Sequence, residues 1–451
     1  MARIAPFRAV RYNSKAVKLD EVVTPPYDVI DVQAQEALTR KNPYSMINLD
    51  LSKNVNAGSL TEERYQLAKK RFEAWQADEI LIRDAAPSLY LYCTDYSLSG
   101  GRTFTRKGMI CLAGLSEFSE GVVKPHEQTF RGVITDRLNL LDTCQANFSP
   151  IFSLYQDGAG EVVRLLEMAK PEMPLCSVQD QDGCRHTIWA VSDPETIEKI
   201  VHFLQEKSLY IADGHHRYTT SLQLREIMKE RLGEVPPDSP YDYTMMYLCG
   251  MEDPGLSVLP THRLVRAPFA ISAQEVLDKM KNGFDVVDIP GGSREFLIGE
   301  VLARMDENRK ETMFGFYHPG EDRCFLLTLK DGAMEKTCAE KYPAILQKLD
   351  VVVLSELVVD GALGLSHDQC EADNLLEYFS DPDEALDVAV KESASAEGKT
   401  PLLFLMNSTP VEQVRKVADE SLIMPHKSTY FYPKLLTGLV MNKIVADEHI
   451  G

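Results

Sequence analysis

The 451-residue chain is predicted to be a mixed α/β protein, and three features of the sequence carry that expectation. Short apolar runs bounded by glycine, proline and aspartate read as strands, and between them lie stretches whose apolar residues recur every three to four positions, as on one face of a helix. The two patterns alternate along the whole length. The third feature is the size: a chain this long exceeds one ordinary core, so two or three domains are expected. A division is predicted into a core over residues 1–265 and a C-terminal α/β domain over 266–451 that completes a cleft.

Taken in order, the first element signal is "VVTPPYDVI", where Pro25 and Pro26 forbid a helix. A helix follows over "TEERYQLAKKRFEAWQADEIL". The strand "SLYLYCTDY", the glycine turn "SLSGG" and the strand "RTFTRKGMICLAGL" form a hairpin. Past "VVKPHEQTFRGVITDRLNLLDTCQANFSPIFSLYQD" comes "LYIADGHHRYTTSLQLREIMKERLGEVPP", in which Leu209, Tyr210 and Ile211 make a buried strand. Leu222, Leu224, Ile227, Met228 and Leu232 then trace a helical stripe that stops at Gly233, Pro236 and Pro237. "YTMMYLCGM" is a buried strand and leads into "LSVLPTHRLVR". Further on lie the hairpin "MFGFYHPGEDRCFLLTL", a helical "YPAILQKLDVVVLSELVVDGAL", the surface loop "KESASAEGKT", the strand "PLLFLMN", the helix "VEQVRKVADESL" and the segment "MPHKSTYFYPKLLTGLV".

The pentapeptide Asp213-Gly214-His215-His216-Arg217 falls at a strand-to-helix junction. Aspartate is a favoured N-cap, and glycine lets the backbone approach a ligand. The first N–H groups of the helix then face outward at the positive end of its dipole. Such a turn binds anions, phosphate above all. Arg217 could fork onto a phosphate oxygen, and His215 and His216 could donate hydrogen bonds or protons.

A second reactive stretch is "VKPHEQT". His126-Glu127 begins like the H-E-x-x-H zinc motif, but Phe130 stands where the second histidine is needed, so that site is absent. Glu127 could serve as a general base, and His126 stands beside it as a second catalytic candidate. Further candidate substrate contacts are His262 and Arg263 in "LPTHRLV", Lys427, Ser428, Thr429 and Lys434 in "MPHKSTYFYPK", and Arg137, which with Asp136 forms a candidate phosphate or metal pair. Each also has a plainer account, as a packed or solvent-facing side chain.

The net charge of −20 opposes binding to nucleic-acid phosphates. No apolar leader and no 18-residue apolar stretch occur, so a cytoplasmic protein with no membrane partner is expected. Nine cysteines without a C-x-x-C pair fit reduced thiols rather than a zinc finger. P-loop, G-x-G-x-x-G and H-R-D motifs are missing, so if a nucleotide binds, the 213–217 turn is where it is expected.

"VVTPPYDVI", "HEQT", "DRLNLLDTCQANFSPIFSLYQD", "IADGHHRY", "LPTHRLV" and "MPHKSTYFYPKLLTGLV" together resemble the family catalogued as domain of unknown function 1015. "KPHE" followed by "ADGHHR" is also similar to the ParB/sulfiredoxin-like superfamily and its free serine kinases. This resemblance implies a ParB-like core with N- and C-terminal α/β extensions. It implies Glu127 as catalytic base, residues 213–217 as the nucleotide-phosphate site, ATP or ADP as donor, and Mg²⁺ held in part by Asp213. The expected activity is phosphorylation of a small hydroxylated metabolite, free L-serine first. Two other readings remain open. One is a metal-dependent phosphatase or hydrolase using His126, His215, His216 and Asp213; the other is a nucleotide-gated ParB-like binding protein.

Overall fold

The computed structural model describes residues 1–51, 61–98, 101–233, 236, 238–395 and 398–450. The tip of the glycine turn at 99–100, Pro237 and the middle of the 391–400 loop lie outside the described residues. The chain divides into two compact units, one made of Met1–Ser257 with Pro433–Gly451 and the other of Val258–Tyr432. The expected boundary at 265 therefore sits at 257/258, and residues 433–451 belong to the first unit rather than to the C-terminal one. Their apolar side chains explain that return: Leu435, Leu436, Leu439, Val440, Met441 and Ile444 are all buried. Met441 exchanges backbone hydrogen bonds with Val10, and Thr437 with Thr24.

The first unit is built on a nine-stranded mixed sheet. Its strands are β1 (Ile4–Ala5), β2 (Leu89–Ser97), β3 (Thr103–Gly114), β4 (Val123–Lys124), β5 (Ile151–Tyr155), β6 (Cys176–Gln179), β7 (Arg185–Val191), β8 (Leu209–Asp213) and β9 (Tyr243–Gly250). They lie in the order β4-β8-β5-β9-β3-β2-β7-β6, with β1 added alongside β3. The β8–β4 and β9–β5 pairs are parallel and the rest antiparallel. β2 and β3 are the expected hairpin, in register from Tyr90–Ile110 to Ser97–Thr103.

Period-two alternation divides the side chains between the two faces of this sheet. Leu89, Leu91, Cys93, Met109, Cys111, Ala113, Met246 and Leu248 enter one core. Three helices close that core: α3 (Glu161–Ala169), α4 (Pro194–Gln205) and α5 (His215–Leu232), through Val162, Leu166, Ile200, Leu204, Tyr218 and Leu222. The longest of the other helices described in the unit are α1 (Thr61–Ala77) and α2 (Arg131–Cys144), and α2 packs along α5. The opposite face of the sheet carries Tyr90, Tyr92, Thr94, Arg106 and Tyr247, an aromatic and polar set.

The second unit holds a six-stranded, wholly antiparallel sheet. Its strands are β10 (His262–Ala267), β11 (Phe284–Ile289), β12 (Met313–His318), β13 (Arg323–Leu329), β14 (Leu376–Phe379) and β15 (Thr400–Leu405), ordered β11-β13-β12-β15-β10-β14. Apolar clusters cover both faces of that sheet. The segment read as one helix around "LDVVVLSELVVD" is a short α-turn, Asp350–Val353, continued as a π-helix over Leu354–Asp360. Among the described residues, no helix is long and apolar enough to cross a membrane. The fold is the mixed α/β class that the sequence predicts.

Candidate functional site

Strand β8 ends at Asp213 and α5 starts at His215, with Gly214 between them as the N-cap at φ +96°. Only glycine adopts that conformation without strain, and a Cβ there would meet the Arg217 guanidinium at 2.9 Å. Asp213, expected to cap the helix, instead stays in the strand opposite Phe152, after an irregularity in the β8–β5 register. No side chain caps α5 and its first turn holds no acidic residue. The first N–H groups of an 18-residue helix are thus left for something else.

Asp213 is partly buried, its side chain 14% exposed, and is held by two cations. Lys434 Nζ binds one carboxylate oxygen at 2.5 Å and Arg217 Nη2 the other at 2.5 Å. Burial pushes its pKa up, but Lys434 and Arg217 outweigh burial and hold the carboxyl well below the usual range. Arg217 also donates to Ser149 Oγ at 3.1 Å and to the Pro150 carbonyl. It is therefore a strut under the turn. Both Asp213 oxygens are engaged, so a magnesium ion there would have to displace a cation, and Asp213 does not fit the role of metal ligand that its type suggests.

The two histidines of the turn reach across to the "HEQT" loop. His215 Nε2 accepts the backbone N–H of His126 at 3.1 Å, and His216 Nε2 accepts that of Phe130 at 3.0 Å. The Phe130 ring stacks on His216, with centroids 5.8 Å apart. His126 donates from Nδ1 to the Ile211 carbonyl at 2.7 Å, tying the same loop to β8. Burial, the largest influence, lowers the pKa of His126 to about 4 and that of His215 well below its usual value. Both rings are then neutral, as a lone pair accepting an N–H requires. With Nε2 of His215 an acceptor, its ring proton sits on Nδ1, and that atom lies 3.8 Å from Glu127 Oε2. Glu127, a quarter exposed, is thereby held beside the first turn of α5.

His215 and His216 spend their Nε2 lone pairs on backbone N–H groups, and His126 donates from Nδ1 to a backbone carbonyl. Among the described residues, no group of three or more His, Cys, Asp or Glu side chains could hold a metal ion.

Behind the turn lies a cavity of about 50 Å³ lined by Tyr27, Asp50, Arg137, Ser149, Arg217 and Ser221, among others. Arg137 is buried, bound to Asp50 at 2.8 Å and to Asp136 at 2.5 Å, with the Tyr27 ring 4.3 Å from its guanidinium carbon. Burial raises the Asp50 pKa, and Arg137 opposes that rise. Burial also lifts Tyr27 to about 12, against the pull of Arg217 and Arg137. Arg137 was singled out by its aspartate neighbour; Asp50 and Tyr27 were not, because their relation to it is made only by the fold. The proline pair ahead of Tyr27 was the one local sign.

The family model described as Protein of unknown function (DUF1015) matches residues 4–352, well over half of the chain. The chain belongs to the DUF1015 family. No curated protein matches it. Among solved structures, this DUF1015 protein is similar to a free serine kinase variant in complex with ADP, at 12% identity and a TM-score of 0.32, over 72% of this chain and 91% of that one. It is similar to a conserved hypothetical protein from Pyrococcus furiosus, at 13% identity and a TM-score of 0.30, over 72% and 94%. A third is SbnI with C-terminal truncation from Staphylococcus aureus, at 10% identity and a TM-score of 0.32, over 72% and 85%.

The other residues singled out in this DUF1015 chain are divided between the two units. Lys434 joins the turn through Asp213. His262 and Arg263 belong to β10 of the second unit and are buried there. His262 Nδ1 accepts the N–H of Met406 at 3.0 Å, and Arg263 donates to Ser355 Oγ at 2.9 Å. Lys427, Ser428 and Thr429 also lie in the second unit. Ser428 donates to the Pro425 carbonyl at 2.5 Å, its own carbonyl accepts from Thr409, and Lys427 has a positive φ of 57°.

Proposed function

We propose that the protein is a nucleotide-dependent kinase that phosphorylates a small hydroxylated metabolite, with free L-serine the first acceptor to test and ATP or ADP the donor. The observation that carries this reading is the placement of Glu127, a partly exposed carboxylate, 3.8 Å from the first residue of an uncapped 18-residue helix. Phosphoryl transfer asks little covalent chemistry of a protein. It needs a base beside the attacking hydroxyl and fixed positive charge around the phosphates. Glu127 takes the proton as the acceptor oxygen bonds to phosphorus, and the bond from phosphorus to the nucleotide's bridging oxygen breaks. The N–H groups at the start of α5 supply charge that needs no reorganisation. Arg217 and Lys434 hold Asp213 ionised beneath the turn and so keep its shape.

The test is a screen of hydroxylated metabolites for nucleotide consumption, followed by mass identification of the product. Consumption that depends on one acceptor and yields its phosphomonoester supports the kinase. Nucleotide binding without consumption against any acceptor points to the binding-protein reading, and phosphate release from phosphomonoesters without nucleotide points to the hydrolase.

A further inference from the structure

Arg106 lies in the middle of β3 and its side chain is fully buried. None of its three nitrogens, Nε, Nη1 or Nη2, has a hydrogen-bond partner among the described residues, and the Asp253 carboxylate feels its charge without bonding it. What surrounds it is aromatic: its guanidinium carbon is 4.8 Å from the Phe152 ring centre and 5.5 Å from that of Tyr247. Those rings attract a cation, but they give its N–H groups no lone pair to bond.

Two more orphaned polar atoms stand on the same face of the sheet. Thr94 is the direct cross-strand partner of Arg106, and its Oγ1 is buried without a hydrogen bond. The Tyr247 hydroxyl is buried too, with the Cys249 thiol as a weak neighbour and no oxygen or nitrogen partner among the described residues. Gly108, two residues along β3 on that face, admits the Tyr247 ring, because a Cβ there would lie 2.4 Å from it. Next in the row, Tyr92 bonds His186 at 2.7 Å, and His186 bonds Asp180 at 3.0 Å, so the hydroxyl beside the orphans is already satisfied. Buried polar groups in folded proteins almost always have partners, so several lacking them together call for an explanation, a bound ion being one.

We propose that Arg106, with the hydroxyls of Tyr247 and Thr94, is a buried binding site for an oxyanion group, a carboxylate or a phosphate. The guanidinium supplies charge and up to five donors, and the hydroxyls supply one donor each. Phe152 and Tyr247 keep water from competing. Phe152 is also the strand partner of both Asp213 and Tyr247, so the two rings beside Arg106 lie in the same row of the sheet as the end of the strand that leads into the turn. The site rests on Arg106 and its neighbours alone and not on phosphoryl transfer.

The experiment measures the rise in melting temperature of the full-length protein with sodium phosphate, sodium acetate and sodium chloride at equal ionic strength, and repeats it with Arg106→Met and Tyr247→Phe. Wild type is expected to show a saturable rise with phosphate or acetate that chloride does not match, and the better of the two identifies the group. Arg106→Met keeps the length of the side chain without the donors and should weaken that response at least tenfold. Tyr247→Phe, which removes one hydroxyl and keeps the ring that packs over Gly108, should weaken it severalfold should the Met variant fail to fold. An equal response of the folded variants and wild type to every salt would overturn the proposal, as would no response to either oxyanion in wild type.

Discussion

Glu127, His126 and Asp213 act through different physics although they crowd one turn. If Glu127 takes the acceptor's proton, Glu127→Gln retains size and hydrogen bonding but loses basicity. Turnover should then fall on the order of 10²- to 10⁴-fold while nucleotide affinity, read by calorimetry, stays within about twofold. Full activity of the Gln variant would remove Glu127 from the chemistry. His126 makes a separate prediction through its depressed pKa of about 4, caused mainly by burial. An unfolded histidine titrates near ~6.5. Between those two values the unfolded chain binds a proton that the folded chain refuses. The contribution of His126 is thus complete above the unfolded value, declines as pH falls toward 4 and is flat below it, a span on the order of 3 kcal/mol. Urea denaturation at pH 7.5 and 4.5 should show that loss, and His126→Gln should reduce it measurably; an identical pH slope in the variant would refute the assignment. The apolar surroundings that lower this pKa could not be read from "KPHE", because the residues that bury His126 come from β8 and α5.

At the level of elements, the junction of β8 and α5 was the most legible part of the chain. Its strand, glycine and helix stand in the sequence in the order the structure uses them, and the hairpin of β2 and β3 was equally plain. What escaped was the use of the residues inside the junction. Asp213 is a good N-cap type, yet Lys434, 221 positions away, and Arg217 in the next turn bind its carboxylate while it stays in the strand. The histidines look like ligands, yet they grip the backbone of residues 126–130. Both outcomes depend on partners dozens to hundreds of positions away, which local pattern does not encode. The glycine itself can be tested: Gly214→Ala forces a Cβ into a left-handed conformation against the Arg217 guanidinium. A loss of roughly 1–3 kcal/mol is expected from chemical denaturation, with nucleotide affinity falling alongside. An unchanged denaturation midpoint would show that the turn relaxes at no cost.

For the molecule as a whole, class and family were readable and the partition was less so. Composition and alternation give the mixed α/β class, but a boundary drawn where the texture changes cannot see that "PKLLTGLV" packs with residues near position 10. Six buried apolar side chains at ~1.5–3 kcal/mol each rival the ~5–15 kcal/mol net stability of a typical domain. A chain ending at Tyr432 should therefore lose the cooperative unfolding of the first unit, seen as collapse of its near-ultraviolet circular dichroism. A folded first unit in that truncated chain would show the segment to be dispensable.

The return of residues 433–451 also sets a timetable. Ribosomes deliver the strand that ends in Asp213 long before they deliver Lys434. During that interval the carboxylate has Arg217 alone, and the sheet beneath the turn lacks its last covering side chains. A nascent chain can thus carry every motif of the turn and still hold no finished site, so any activity housed there begins only after residue 434 has cleared the exit tunnel.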